Sequence, residues 1–100
     1  MEIKWTKPSE DDLQNFLDNI HEGTEISANQ YILNLMDYVN ILKDNPYAGK
    51  MLMKYSDYNI RQLVYKKHKI IYSIRDKIYI LAVVHSARNM RDIIKELILF

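Results

Sequence analysis

Apolar side chains recur along the chain with two different periods, and the change of period separates helices from strands. In residues 13–20 and 31–42 they recur every three or four positions, which is typical of amphipathic helices. Residues 59–85 instead form three runs rich in Ile, Val and Tyr, separated by the charged breaks Lys66–Lys67 and Asp76–Lys77. Because β-branched and aromatic residues favour strands, this stretch predicts a three-strand antiparallel meander.

Side chains that can cap helices indicate where the helices begin. Ser9 followed by Asp12 resembles a capping box for the first helix, and Ser27 followed by Gln30 resembles one for the second. Asn89, after the meander, can cap a third helix with an apolar face.

The remaining segments complete the order of elements. Alternation around Ile3 and Trp5 predicts a short first strand, and residues 47–58 predict a loop that holds at most one short strand or turn. The predicted order is β-α-α-β-β-β-α. This is an α+β fold, in which a mainly antiparallel sheet carries an N-terminal helical hairpin and a C-terminal helix, with the helices grouped on one side.

Strand alternation predicts which side chains of the meander meet. If both hairpin loops hold two residues, Arg61 lies opposite Tyr72, and His68 lies opposite Tyr65 and His85. The face that carries these residues then also carries Leu63, Ile70, Ile74, Tyr79, Leu81 and Val83. The other face carries Val64, Lys69, Ile71, Ser73, Ile80, Ala82 and Val84.

Composition indicates one folded domain. The chain has 100 residues, of which 48% are hydrophobic and 27% charged, and no cysteine. A single core is therefore expected, and a disulfide framework and a thiolate nucleophile are excluded. No apolar run approaches the ~20 residues that span a bilayer. Without a signal-peptide pattern at the N-terminus, a cytoplasmic location and no membrane partner are expected.

The net charge of +1 conceals an asymmetry between the two halves. Residues 1–50 carry 4 basic and 9 acidic side chains, whereas residues 51–100 carry 10 basic and 4 acidic side chains. The basic side chains of the second half either contact phosphate or an acidic partner, or simply face solvent on the outer side of the strands. The low total charge argues against a protein that stays bound to RNA, because such proteins usually carry a strong positive charge.

His85 and Arg88, just after the last predicted strand, are the strongest candidates for chemistry. A histidine can transfer a proton near neutral pH, and an arginine beside a helix start suits phosphate or carboxylate. Each has a structural alternative. His85 can pack at the edge of the core and bond a loop carbonyl, and Arg88 can form a surface ion pair with Asp92.

Other kinds of site are not indicated. The histidines at 21, 68 and 85 lack zinc-ligand spacing, and the serines lack a nucleophile elbow. No glycine-rich phosphate loop is present, so neither a metal nor a cofactor is expected. Composition and spacing therefore give an α+β domain with a basic, aromatic sheet, but no function.

Short segments along most of the chain match one known family. In order, they are Ile3-Lys4-Trp5-Thr6, Asp12-Leu13, Asn45-Pro46-Tyr47 with Gly49, Ile60-Arg61-Gln62-Leu63, Lys69-Ile70-Ile71-Tyr72 and Val83-Val84-His85-Ser86-Ala87-Arg88-Asn89. With them the chain resembles the RelE/ParE superfamily of toxins from bacterial type II toxin–antitoxin (plasmid stabilisation) modules. The last of these segments contains His-x-x-Arg-Asn, which is the part of the match most characteristic of this superfamily.

The resemblance implies a single toxin domain over residues 1–100, held inactive by a cognate antitoxin in a toxin–antitoxin hetero-oligomer. ParE-like members bind DNA gyrase, and RelE-like members cleave mRNA on the ribosome. Low net charge and the His-Ser-Ala-Arg ending favour the ParE-like function. A third alternative is a degenerate member that only binds its antitoxin.

The resemblance also suggests site residues. A RelE-like nuclease would use Arg61, Lys69, His85 and Arg88, although the C-terminal tyrosine and the loop glutamate of such toxins have no counterpart. For binding a target, the expected residues are Arg61, Lys67, Lys69, Tyr72, His85 and Arg88. The apolar end of the last helix predicts an antitoxin interface that includes Leu97, Ile98 and Phe100.

Overall fold

The computed structural model describes residues 1–19, 25–52 and 57–98. The strands are β1 (Ile3–Trp5), β2 (Lys50–Met51), β3 (Ile60–Tyr65), β4 (His68–Ile74) and β5 (Ile78–His85). The helices are α1 (Lys7–Asp18), α2 (Glu25–Val39) and α3 (Met90–Ile98), and a 3-10 turn (Asn40–Lys43) follows α2. The sheet has the strand order β1-β5-β4-β3-β2, in which β1 is parallel to β5 and every other pair is antiparallel. The α+β prediction and the meander are confirmed.

The predicted pairing of the meander holds at its ends but not in its middle. Arg61 pairs with Tyr72, and His68 pairs with both Tyr65 and His85, as predicted. However, the β4–β5 loop holds three residues rather than two, and an irregularity in the register follows between Ile71 and Tyr72. The two one-residue shifts cancel at His85.

Between these two shifts, the faces of β5 are reversed relative to the prediction. Ile80 packs with Tyr72 in the core beneath α2, whereas Leu81 packs in the cluster beneath α3. Ser73 pairs with Tyr79, so the side chain of Tyr79 also lies on the α3 face. The predicted faces of Tyr79, Ile80 and Leu81 were wrong because one extra loop residue inverts every side chain until a bulge restores the register.

Helices cover both faces of the sheet, so the prediction that they group on one side was wrong. Leu35 and Val39 of α2 pack on one face of the sheet. Ile93 and Ile94 of α3 pack on the other face, together with the strand residues Ile71, Ala82 and Val84. Ten residues of β4 and β5 are buried, and their side chains are divided between the two faces of the sheet. Both faces must therefore be covered.

Helix α1 protects the edge that β1 leaves open. Strand β1 pairs only with residues 78–80, and no other described strand pairs with β5 beyond that point on this side. There Oδ2 of Asp12 accepts a hydrogen bond from the backbone N–H of Val83 at 2.8 Å. Burial raises the pKa of Asp12, partly opposed by this bond and by the nearby charge of Arg88. The carboxylate thus takes the place of a neighbouring strand at an otherwise open edge.

The starts of the helices follow the predictions only in part. Helix α1 is capped by Thr6, whose Oγ1 accepts from the N–H of Ser9, so Ser9 is a buried residue of the first turn and not the cap. Ser27 lies inside α2. The cap of α3 is confirmed, since Oδ1 of Asn89 accepts from the N–H of Arg91 at 2.8 Å. No helix in the described ranges is long and apolar enough to cross a membrane.

Candidate functional site

The loop between the 3-10 turn and β2, residues 45–49, is braced from beneath by two side chains of the sheet. Tyr72 is fully buried. Its Oη donates to the carbonyl of Pro46 at 2.8 Å and accepts from the N–H of Gly49 at 2.9 Å. Nη1 of Arg61 donates to the carbonyl of Gly49 at 2.9 Å. Burial raises the pKa of the Tyr72 hydroxyl, which therefore stays neutral and can both donate and accept.

The braced loop presents one large side chain to solvent. Tyr47 is 66% exposed, the highest value among the exposed large hydrophobic residues that the structure describes. The guanidinium carbon of Arg61 lies 4.8 Å from the centroid of its ring. This is the distance of a cation–π contact, and it fixes one face of the ring while the other surface stays open.

Tyr72 and Arg61, both predicted to bind the target, are therefore structural in this fold. Tyr72 has no exposed surface and all its contacts in this structure are internal, so its role in target binding stays a prediction. Arg61 is half-buried and its guanidinium is committed to Gly49 and Tyr47. Register alone could not show this, because it places the two side chains on one face without saying that a loop covers that face.

A cluster of aromatic and histidine rings lies at the opposite end of the same face. The Oη of Tyr31 on α2 lies 2.7 Å from Nδ1 of His68. The His68 ring also makes edge contacts with Phe16, at 5.5 Å between centroids, and with His85, at 5.9 Å. These contacts join the helical hairpin to the ends of β4 and β5.

Titration of His68 links this cluster to pH. Burial, and secondarily the neighbouring His85, lowers the pKa of His68 from its ordinary value of 6.5. The unfolded chain therefore takes up this proton first as the pH falls. The contribution of neutral His68 to stability is complete above about pH 6.5 and is lost as the pH falls through the lower folded-state pKa.

We expect the free energy of unfolding to fall when the pH is lowered from about 7.5 to about 5, and His68→Asn to reduce that fall. Asparagine keeps a short polar side chain but does not titrate. Urea denaturation at both pH values measures the effect, with Lys67→Asn as the control at an exposed position of the neighbouring turn. An identical pH dependence in wild type and His68→Asn would contradict this role.

His85 and Arg88 lie on the turn after β5, and both side chains are exposed. Nδ1 of His85 accepts from the backbone N–H of Ala87 at 3.1 Å, which leaves Nε2 to carry the proton of the neutral ring. Arg88 pairs with Glu96, at 3.3 Å, and not with Asp92. Both residues remain accessible to a partner, as their prediction as target contacts requires.

The four residues that a RelE-like nuclease would use are dispersed. Arg61 lies on the α2 face, whereas Lys69 pairs with Val64 and Val84 and points to the α3 face. Arg61 is level with Tyr72, four residues along β4 from the His68–His85 pair, which is about 13 Å along a strand. Among the described residues, these four groups are therefore not brought together at one site.

Lys67 and the predicted antitoxin residues have separate positions. Lys67 is exposed in the β3–β4 turn, and its carbonyl accepts from the N–H of Ser86 at 2.8 Å. Leu97 is half-buried against the α3 cluster. Phe100 and the side chain of Ile98 lie outside the described part of the chain.

A groove of about 240 Å³ lies between α1, β5 and α3. It is lined by Pro8, Asp12, Ala82, Val84, Arg88, Ile93, Glu96 and Leu97. Five of these residues are apolar, and the other three are an arginine and two carboxylates. Within residues 1–19, 25–52 and 57–98, no group of three or more His, Cys, Asp or Glu side chains is placed to hold a metal ion.

Reasoning from the sequence missed Tyr47 as a candidate site residue. The available signal was the segment Asn45-Pro46-Tyr47 with Gly49, where a proline and a glycine frame an aromatic residue in a polar loop. A loop is the usual position for a binding residue on a rigid scaffold. The bracing by Tyr72 and Arg61 became visible only with the tertiary contacts.

Comparison with known proteins gives a family match over most of the chain. The sequence model described as ParE toxin of type II toxin-antitoxin system, parDE, matches residues 3–90. Among solved structures, a chain of the chromosomal ParDE TA system from P. aeruginosa is similar, with a TM-score of 0.71 and 19% identity. The match covers 85% of this chain and 95% of that one, and at this identity it shows a shared fold. No curated protein sequence matches.

Proposed function

Because the chain belongs to the ParE toxin family of type II toxin–antitoxin systems, we propose that it arrests growth by binding DNA gyrase in the cytoplasm and that a cognate antitoxin neutralises it. The toxin role follows from the family. Gyrase as the target, and the surfaces that contact gyrase and antitoxin, are the parts of the proposal that go further.

The observation that carries the gyrase proposal is the dispersal of the nuclease residues. Ribonuclease chemistry needs cations around the developing charge and a proton-transfer group within hydrogen-bond reach. Here Arg61 is committed to Gly49, and Lys69 lies on the other face of the sheet from His85. Such an arrangement supports a toxin that acts by binding a protein and not by cleaving RNA.

Two assays on the purified toxin separate the alternatives. We expect increasing toxin to inhibit DNA supercoiling by gyrase, and primer extension on translated mRNA to show no new ends. Ribosome-dependent cleavage with normal supercoiling would instead support a RelE-like endoribonuclease. If neither assay responds and expression is harmless, the chain is a degenerate member that only binds antitoxin.

The groove between α1 and α3 is the surface proposed for the antitoxin. Its lining combines apolar side chains with charged groups of both signs, which suits an amphipathic helix or extended segment of a partner. Half-buried Leu97 contributes to the apolar part. An antitoxin lying here would also contact the C-terminal helix, as the sequence predicts.

Leu97→Ala is expected to weaken antitoxin binding by about tenfold, because it removes an apolar side chain that lines the groove. Isothermal titration calorimetry with the purified antitoxin measures the change. Lys95→Ala, at an exposed position of the same helix, is the matched control and should bind normally. Deletion of residues 95–100 should weaken the complex further. Unchanged affinity in both Leu97→Ala and the deletion would reject this surface.

A further inference from the structure

The loop 45–49 is held more firmly than a helix-to-strand connection requires. The carbonyls of Gly49 and Pro46 accept hydrogen bonds from side chains of the sheet, and the N–H of Gly49 donates to one, at 2.8 to 2.9 Å. These bonds flank Tyr47 on both sides. A loop fixed in this way loses little further conformational freedom when it binds a partner, so its contacts contribute more fully to affinity.

Arg61 is placed to support Tyr47 and not to balance a carboxylate. None of the ion pairs among the described residues includes Arg61. Its half-buried charge is instead met by the Gly49 carbonyl and by the face of the Tyr47 ring. Tyrosine and arginine are, with tryptophan, the side chains enriched at the energetic centres of protein interfaces.

The surface beside Tyr47 indicates the chemistry of a partner. An open depression of about 470 Å³ is lined by Ile41, Asp44, Asn45, Pro46, Tyr47 and Ala48. Ile41 and Tyr47 make it largely apolar, and both are exposed. Asp44 places an exposed carboxylate at its rim, which repels phosphate and attracts a cation.

We propose that Tyr47 and this depression form the surface with which the toxin contacts its protein target. The partner presents an apolar side chain that packs against Tyr47 and Ile41, with a lysine or arginine beside it that faces Asp44. This inference rests on the proposed function, because it assigns a contact surface for the target of the toxin. Nucleic acid is disfavoured as the occupant by the carboxylate at the rim.

The target surface and the antitoxin groove lie at opposite edges of the sheet. Loop 45–49 precedes β2, which is one edge strand, whereas the groove lies beside β5 and α1 near the other edge. A substitution at one surface should therefore leave binding at the other unchanged, which provides an internal control for folding.

Tyr47→Ala tests the proposal, with Tyr58→Ala as the matched control because Tyr58 is also an exposed tyrosine. We expect Tyr47→Ala to raise by about tenfold or more the toxin concentration that half-inhibits supercoiling, and to relieve growth arrest on induction in cells. Tyr58→Ala should behave as wild type. Asp44→Lys should weaken inhibition in the same direction, whereas Asp57→Lys should not.

Antitoxin affinity and thermal unfolding are measured on every variant. Retained antitoxin binding by Tyr47→Ala, together with lost toxicity, supports the proposal. Equal toxicity of wild type and Tyr47→Ala overturns it, whatever the target, and so does a Tyr47→Ala variant that loses antitoxin affinity along with toxicity. If wild type arrests growth but does not inhibit gyrase, the gyrase proposal alone fails, and the growth comparison still decides the role of Tyr47.

Discussion

Gly49→Ala is expected to lower the free energy of unfolding by about 2–3 kcal/mol. The added Cβ would lie 2.6 Å from Oη of Tyr72 and 2.7 Å from the backbone oxygen of Gln62. The second contact is with the backbone of β3 and cannot be relieved by rotating a side chain. Urea denaturation at pH 7 measures the change.

Ala48→Ser is the control for Gly49→Ala, because Ala48 is an exposed neighbour in the same loop. It should change the free energy of unfolding by less than about 0.5 kcal/mol. A Gly49→Ala protein as stable as wild type would mean that the loop moves away from β3 without cost, and that the sheet does not hold it rigidly.

Tyr72→Phe is the second large effect, with an expected loss of about 2–3 kcal/mol. The ring still fills the core, but the carbonyl of Pro46 and the N–H of Gly49 lose their shared partner. An unsatisfied buried polar group costs more than a hydrogen bond gains, so the loss exceeds that of one bond. Differential scanning calorimetry or urea denaturation measures it.

Tyr79→Phe is the matched control for Tyr72→Phe. The Tyr79 hydroxyl donates to Oδ1 of Asp76 at 3.0 Å, but this bond is exposed. Its removal should leave the free energy of unfolding nearly unchanged. Because Tyr72→Phe also frees the loop that carries Tyr47, it should weaken gyrase inhibition under conditions where the protein remains folded. Equal stability losses in the two variants would show that the Tyr72 hydroxyl does not brace the loop.

The order of elements was predictable because each depends on local periodicity. The apolar stripes of α1 and α2 and the three β-rich runs need no knowledge of distant residues, and Asn89 caps α3 through a bond to Arg91 nearby. Register inside the meander was not predictable to one residue. Asp76–Lys77 marked the turn correctly, but nothing local shows that Arg75 also belongs to the loop.

The sequence did contain a signal that indicates the position of α3. Successive residues such as Ile70 and Ile71, or Val83 and Val84, are apolar without alternation, which is typical of strands that are buried on both faces. A sheet of that kind needs a layer on each side. The prediction that all helices lie on one side did not take into account that the second face must also be covered.

The candidate site was only partly predictable, because side-chain type does not show what a side chain contacts. His85 and Arg88 are exposed, as a target-binding role requires, whereas Tyr72 and Arg61 turn inward to hold a loop. An arginine on a strand gives the same sequence pattern whether its side chain contacts a partner or holds a loop. Arg61 contacts the ring of Tyr47, which is 14 positions away in the sequence. Only this tertiary contact identifies Tyr47 as the exposed residue that the arginine supports.

Equilibrium binding of the labelled toxin to purified DNA gyrase tests the central proposal most directly. We expect saturable binding by wild type and by Tyr58→Ala, with affinity at least about tenfold weaker for Tyr47→Ala. The absence of saturable binding by the wild-type toxin, in a preparation that still binds its antitoxin, would contradict the assignment of gyrase as the target.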